Sequence, residues 1–102
     1  MIIKQATEDI LAKSNEGKVI LDFYATWCGP CQMISSVFDQ ITEDEVSNDV
    51  TLIKVNVEDF PEIAGQHQVL NVPTLVVLEN GKELRRNSGF MPKPVLVKYI
   101  NQ

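Results

Sequence analysis

Apolar residues recur along this 102-residue chain in two rhythms, period two and period 3.6, and the two alternate. Ile2-Ile3-Lys4-Gln5 predicts a short opening strand at or near a sheet edge. Thr7 suits a helix N-cap, with Glu8 and Asp9 in the first turn and Ile10, Leu11 and Ala12 behind them. Asn15-Glu16-Gly17-Lys18 ends that helix with turn chemistry. Val19 to Tyr24 is apolar on both alternating faces except at Asp22, which predicts a central strand buried on both sides. Met33, Ile34, Val37, Phe38 and Ile41 then mark one face of an amphipathic helix starting at Gln32. Polar and acidic residues from Thr42 to Asp49 lead out of it into a β-branched strand, Thr51 to Val57, with Lys54 and Asn56 on the face of Leu52. Pro61 suits the first turn of a short helix reaching about Gln68. Val72–Leu78 and Lys82 to about Asn87 flank Glu79-Asn80-Gly81, a strong hairpin signal. Pro94 opens a last helix with Val95, Leu96, Tyr99 and Ile100 on its buried face.

The order β-α-β-α-β-α-β-β-α predicts an α/β sandwich with helices on both faces of a central sheet. The strand–helix–strand unit from Val19 to Val57 calls for parallel strands and a right-handed crossover, while the hairpin makes the sheet mixed. No repeat, low-complexity tract or linker interrupts the pattern, so residues 1–102 read as one domain.

Composition narrows the function classes. Hydrophobic residues at 44% and charged residues at 23% are ordinary for a soluble globular protein. Fourteen acidic against 9 basic residues give a net charge of -5, which argues against a nucleic-acid or anionic-membrane surface. The one local basic cluster, Lys82, Arg85 and Arg86, is diluted by Glu79 and Glu83 and reads as a solvated strand edge. His67, the only histidine, reads as a solvated surface residue. The N-terminus lacks an apolar core of signal-peptide length, and no stretch approaches the roughly 20 apolar residues that cross a bilayer. A cytoplasmic location is therefore expected. In a reducing compartment two cysteines this close point to catalysis or metal binding rather than to a permanent bridge, whose short loop would stabilise least.

Both cysteines and the only tryptophan lie in the stretch Asp22 to Cys31, where the central strand hands over to a helix. A thiolate at a helix entrance is favoured by unpaired backbone N–H groups and by the helix dipole, so Cys28 is placed to ionise and attack a disulfide. Gly29 lets the chain turn, and Pro30 is tolerated in the first helical turn. Cys31, one turn deeper and expected to be the less exposed, could resolve the resulting mixed disulfide. Asp22, inside an apolar strand, would have a raised pKa and could accept a proton near neutral pH. Zinc is the competing chemistry. A structural zinc needs four ligands, and one Cys-x-x-Cys with one unrelated histidine leaves only a site shared between two chains.

Trp27-Cys28-Gly29-Pro30-Cys31 resembles the Trp-Cys-Gly-Pro-Cys signature of the thioredoxin family, and the resemblance spans nearly the whole chain. Asp22-Phe23-Tyr24-Ala25 is similar to the family's lead-in, and Val72-Pro73-Thr74 to its Ile/Val-Pro-Thr loop. Asn80-Gly81 and Gly89 match its hairpin turn and groove glycine. The resemblance implies a three-layer α/β/α sandwich of five strands and four helices. It implies a protein-disulfide reductase with a redox disulfide between Cys28 and Cys31, Asp22 as proton acceptor for the deeper cysteine, and Lys54 near that carboxylate. It also implies a cis Val72-Pro73 bond and a docking surface for disulfide-containing proteins made by Trp27, Gly29, Pro30, Val72, Pro73, Gly89 and Phe90, with Trp27 a partly exposed lid. No cofactor would be bound. A monomer would be re-reduced by a separate, flavin-dependent thioredoxin reductase drawing on a reduced nicotinamide cofactor. Gly-Pro between the cysteines favours the reductase over oxidising and isomerising relatives. Three positions depart from the common pattern. Gln32 stands where a lysine is frequent, Ser36 where a proline is, leaving open whether the helix bends, and Tyr24 where many members have tryptophan. A non-catalytic role as the binding subunit of another enzyme would use the same residues.

Overall fold

A computed structural model describes residues 1–102. The elements are β1 (Ile2–Gln5), α1 (Glu8–Ala12), β2 (Lys18–Tyr24), α2 (Gly29–Gln40), β3 (Val50–Asn56), α3 (Pro61–Gln66), β4 (Thr74–Glu79), β5 (Lys82–Ser88) and α4 (Lys93–Asn101). They form one five-stranded sheet in the order β1-β3-β2-β4-β5. β3 runs parallel to β1 and β2, whereas β4 runs antiparallel to both β2 and β5, so the expected mixed sheet is present.

β2 lies at the centre of the sheet, and like its neighbour β4 it is buried on both faces. Ile20 packs with Ile34, Val37 and Phe38 of α2 and with Leu96 and Ile100 of α4. Val19, Leu21 and Phe23 pack on the other side with Ala64 of α3, Ile10 and Leu11 of α1. Alternation along β2 therefore sends Asp22 and Tyr24 toward α2, on the same face as Ile20.

Two helices bury less than their patterns suggest. Met33 is exposed, because it lies about 90° around the helix from the middle of the stripe made by Ile34, Val37, Phe38 and Ile41. Val95 is exposed as well, while Leu96 and Ile100 are buried and Val97 packs at the rim of the core. α2 also begins earlier than expected, at Gly29 rather than Gln32, since Cys28 itself caps it.

The basic cluster on β5 is not simply solvated. Arg85 lies 5.0 Å from the Tyr99 ring centroid and donates to the Tyr99 carbonyl at 2.7 Å. Lys18 donates to the Ile100 carbonyl at 2.8 Å. Two cations from the sheet thus satisfy last-turn carbonyls of α4, where the helix dipole favours positive charge. Arg86 instead makes a paired bond to Glu83 and donates to the His67 carbonyl at 2.8 Å. His67 is likewise half-buried, 5.7 Å from Phe23 between ring centroids, and burial lowers its pKa. Its ring covers the end of the β2 core, a contact that local polarity does not reveal.

The hairpin turn has positive φ at both central residues, Asn80 (50°) and Gly81 (83°), as its Asn-Gly sequence requires. Asn80 also accepts from the Gly17 amide at 2.9 Å, tying the hairpin to the turn before β2. α3 ends in a two-bond cap, in which the Gln68 amide reaches the Gly65 carbonyl at 3.0 Å and the Val69 amide the Ala64 carbonyl at 2.9 Å. That cap places Gln68 at φ 54°, a left-handed conformation in which its Cβ is crowded. We expect Gln68→Gly to raise the unfolding free energy by about 0.5–1 kcal/mol, after allowing for the extra freedom glycine has when unfolded. A urea midpoint that stays put or falls would refute this.

Candidate active site

The site forms where β2 ends and α2 begins. Cys28 has extended backbone angles (φ -91°, ψ 114°) and serves as the N-cap of α2, with Pro30 in the first turn. Its Sγ lies 3.2 Å from the backbone nitrogen of Cys31, whose N–H points at it. One of the amides left unpaired at a helix start is therefore aimed at the sulfur, which is the arrangement that stabilises a thiolate. The two cysteines are joined in a disulfide. Both are buried, at 6% exposure for Cys28 and 4% for Cys31, a difference in the expected direction but too small to rank them. Their surroundings rank them better.

Cys28 borders an outer groove of about 620 Å³, whose walls include Trp27, Gly29, Pro30, Leu70 and Val72. Cys31 borders a separate inner cavity of about 330 Å³ with Asp22, Ser35 and Lys54. Trp27 stands more open than a partly exposed lid, at 73% exposure, and Leu70 facing the same groove is 94% exposed. Leu70 was missed in the sequence. Its signal was a lone leucine in the polar turn just before Val72-Pro73, where a core residue has nothing to pack against.

The Val72-Pro73 peptide bond is cis. The Val72 carbonyl lies 3.7 Å from Cys28 Sγ. Neither the N–H nor the carbonyl of Val72 pairs with another backbone group, which leaves an open strand edge beside the cysteine. Gly89, at φ 96°, donates its amide to the Pro73 carbonyl at 2.8 Å and so holds the loop in place. Phe90 follows it, 41% exposed. Pro73, Gly89 and Phe90 flank the outer groove without forming its wall.

Asp22 is 1% exposed, and its Oδ1 is buried with no hydrogen-bond partner. Burial pushes the carboxyl up to about 6 from its ordinary 3.8, with the positive charge of Lys54 offsetting part of the rise. Lys54 is the neighbour of Asp22 across the β2–β3 register. No cation comes within 4.0 Å of the carboxylate; the ammonium instead donates to Ser35 Oγ at 2.7 Å. The zinc alternative gains no ligands from the fold, because nowhere do three or more His, Cys, Asp or Glu side chains converge.

The comparisons agree with this geometry. A family model described as Thioredoxin matches residues 2–102. The chain is 36% identical over 101 residues to a thioredoxin of Bacillus subtilis (strain 168), covering 99% of this chain and 96% of that one. It is 46% identical over 99 residues to a thioredoxin of Mycoplasma genitalium, covering 97% and 92%. Among solved structures, a thioredoxin of Malassezia sympodialis superposes with a TM-score of 0.81 at 29% identity, over 100% of this chain and 92% of that one.

Two outcomes are expected. A carboxyl raised from 3.8 to about 6 implies that the ionised form costs the fold about 3 kcal/mol. The native state holds the proton more tightly than the unfolded chain. The cost is therefore absent below about pH 4, grows through about pH 6 and is full above that. Asp22→Asn should thus be more stable than the parent at about pH 8, by about 2–3 kcal/mol, with the gap closing on acidification. Denaturant titrations at several pH values will show it, and a pH-independent difference would refute it. Gln32, whose Nε2 donates to the Thr26 carbonyl at 3.0 Å, lies at the mouth of α2. Gln32→Lys adds a cation there and should lower the Cys28 thiol pKa modestly; unchanged thiolate absorbance on titration would count against that.

Proposed function

The chain belongs to the thioredoxin family, and on that footing we propose that Cys28 is its attacking sulfur, Cys31 its resolving sulfur and Asp22 the base that takes the Cys31 proton. Membership makes the protein a protein-disulfide reductase that works by dithiol–disulfide exchange. The assignment of roles rests on one observation above all. Cys28 faces the outer groove that a substrate can enter, whereas Cys31 faces the inner cavity that holds the carboxylate.

In the dithiol form the Cys28 thiolate attacks one sulfur of a substrate disulfide. A bond forms between Cys28 and that sulfur, and the other substrate sulfur leaves as a thiolate. Asp22 then takes the Cys31 proton, and the Cys31 thiolate attacks Cys28 Sγ. The Cys28–Cys31 disulfide forms and the second substrate sulfur departs. Two electrons have passed to the substrate, and the protein is left oxidised. Trp27, Gly29, Pro30 and Val72 present the groove, with Pro73, Gly89 and Phe90 beside it, and the open Val72 backbone suits an extended substrate segment. Lys54 moderates the basicity of Asp22 from across the strand pair.

The family binds no cofactor, since the cysteines themselves carry the electrons. Re-reduction falls to a separate thioredoxin reductase using a reduced nicotinamide cofactor. The partners are that reductase and disulfide-containing proteins, with no nucleic acid and no membrane. We read the chain as one monomeric domain over residues 1–102, working in the cytoplasm. No helix is long and apolar enough to cross a membrane, and the net charge of -5 suits neither nucleic acid nor anionic lipid.

The test is reduction of a protein disulfide with the protein, a thioredoxin reductase and the reduced nicotinamide cofactor. The parent should turn over many times and Cys28→Ser not at all. Cys31→Ser should accumulate mixed disulfides through Cys28. Equal activity of the Cys28→Ser variant, or trapping through Cys31 in its absence, would overturn the assignment.

A further inference from the structure

Lys54 and Asp22 sit opposite one another on adjacent parallel strands, with side chains on the same face of the sheet. A lysine stem is long enough to bridge neighbouring strands, and the Asp22 carboxylate has an oxygen, Oδ1, that nothing else satisfies. An ion pair would be the default outcome of this placement, yet none forms. The ammonium is drawn to α2, where Ser35 Oγ accepts from it at 2.7 Å. It also lies 5.9 Å from the centroid of the Tyr24 ring, whose own hydroxyl accepts from Gln5 Nε2 at 2.8 Å. Ser35 is one helical turn beyond Cys31, so both side chains lie over the same inner cavity.

The geometry points to Ser35 as a positioning residue, its hydroxyl holding the Lys54 ammonium off the Asp22 carboxylate so that the carboxylate stays unpaired. This deepens the reading above and rests on it for its relevance to turnover. An acceptor on α2 competes with an acceptor on β2 for one cation. While the hydroxyl wins, Asp22 feels that cation only at a distance, and burial remains the larger influence on its proton affinity. Without the hydroxyl, the unpaired Oδ1 of Asp22, directly across the strand pair, is an acceptor open to Lys54.

Few other groups could produce such an effect. From β3 only Lys54 brings charge to Asp22, and from α2 the titratable neighbour is Cys31, with Ser35 and Gln32 uncharged. β2 itself contributes Tyr24, and β4 sets the apolar Leu75 opposite Asp22. In the oxidised protein the cysteines do not titrate. The protonation of Asp22 can therefore be followed alone, by its carboxyl infrared band with Asp22→Asn as the blank.

The test is that titration in the parent, Ser35→Ala, Ser35→Thr, Lys54→Met and the Ser35→Ala, Lys54→Met pair. Ser35→Ala should move the Asp22 midpoint down by about one pH unit, as a cation closes on the carboxylate. Ser35→Thr, which keeps the hydroxyl, should titrate like the parent. In the Lys54→Met background Ser35→Ala should have no effect, because no cation remains to be released. An unmoved midpoint in Ser35→Ala, or a shift that persists without Lys54, would overturn the proposal. The pH profile of disulfide reduction separates it from the mechanism it rests on. A profile that moves with the midpoint supports both. A midpoint that moves while the profile stays fixed upholds the clamp and removes Asp22 as the base.

Discussion

A carboxylate in the middle of the central strand is the constraint on which the rest depends. Asp22 is buried with no counter-ion within 4.0 Å, and the fold tolerates it because the apolar core above and below it runs along both faces of β2. That continuity carries the cost of desolvating one ionised group. The same burial that makes the residue a liability for stability gives it a proton affinity useful near neutral pH. Stability and chemistry pull in opposite directions at this position, and the sheet around it is built to absorb the difference.

The sulfur chemistry depends on a second boundary, between strand and helix. Cys28 is at once the last extended residue and the cap of α2, so the helix start and the reactive atom coincide. An amide that every helix leaves unpaired is here satisfied by sulfur rather than by water or an oxygen cap. The groove outside and the cavity inside then give two chemically identical side chains different surroundings. Exposure alone would not have separated them.

Much of this was legible in the residues. The apolar run of β2, the Asn-Gly turn and the Cys-Gly-Pro-Cys spacing each carry a local physical signal, and the strand, the hairpin and the strand-to-helix junction are all present, with α2 starting three residues early. The misjudged residues are those whose environment is set by distant chain. Met33 and Val95 lie at the flanks of helical stripes, where only the neighbouring layer decides what is covered. Arg85 reads as a solvated strand residue until the end of α4 arrives beside it. His67 reads as polar surface until Phe23 is found behind its ring. The Ser35–Lys54 bond was invisible for the same reason, since it depends on which elements meet at one end of the sheet.

Alternation along β2 has a consequence for how such a chain can vary. Asp22 faces α2 and Phe23 faces the opposite layer, so the carboxylate reaches the cavity of Cys31 only because of its parity in the strand. Adding or removing one residue within β2 would exchange the two, setting a ring beneath the inner sulfur and a charge inside the α1–α3 core. Within β2, therefore, the number of residues leading to Asp22 is under as strict a requirement as their kind. Substitutions there can be graded, but a change of length cannot.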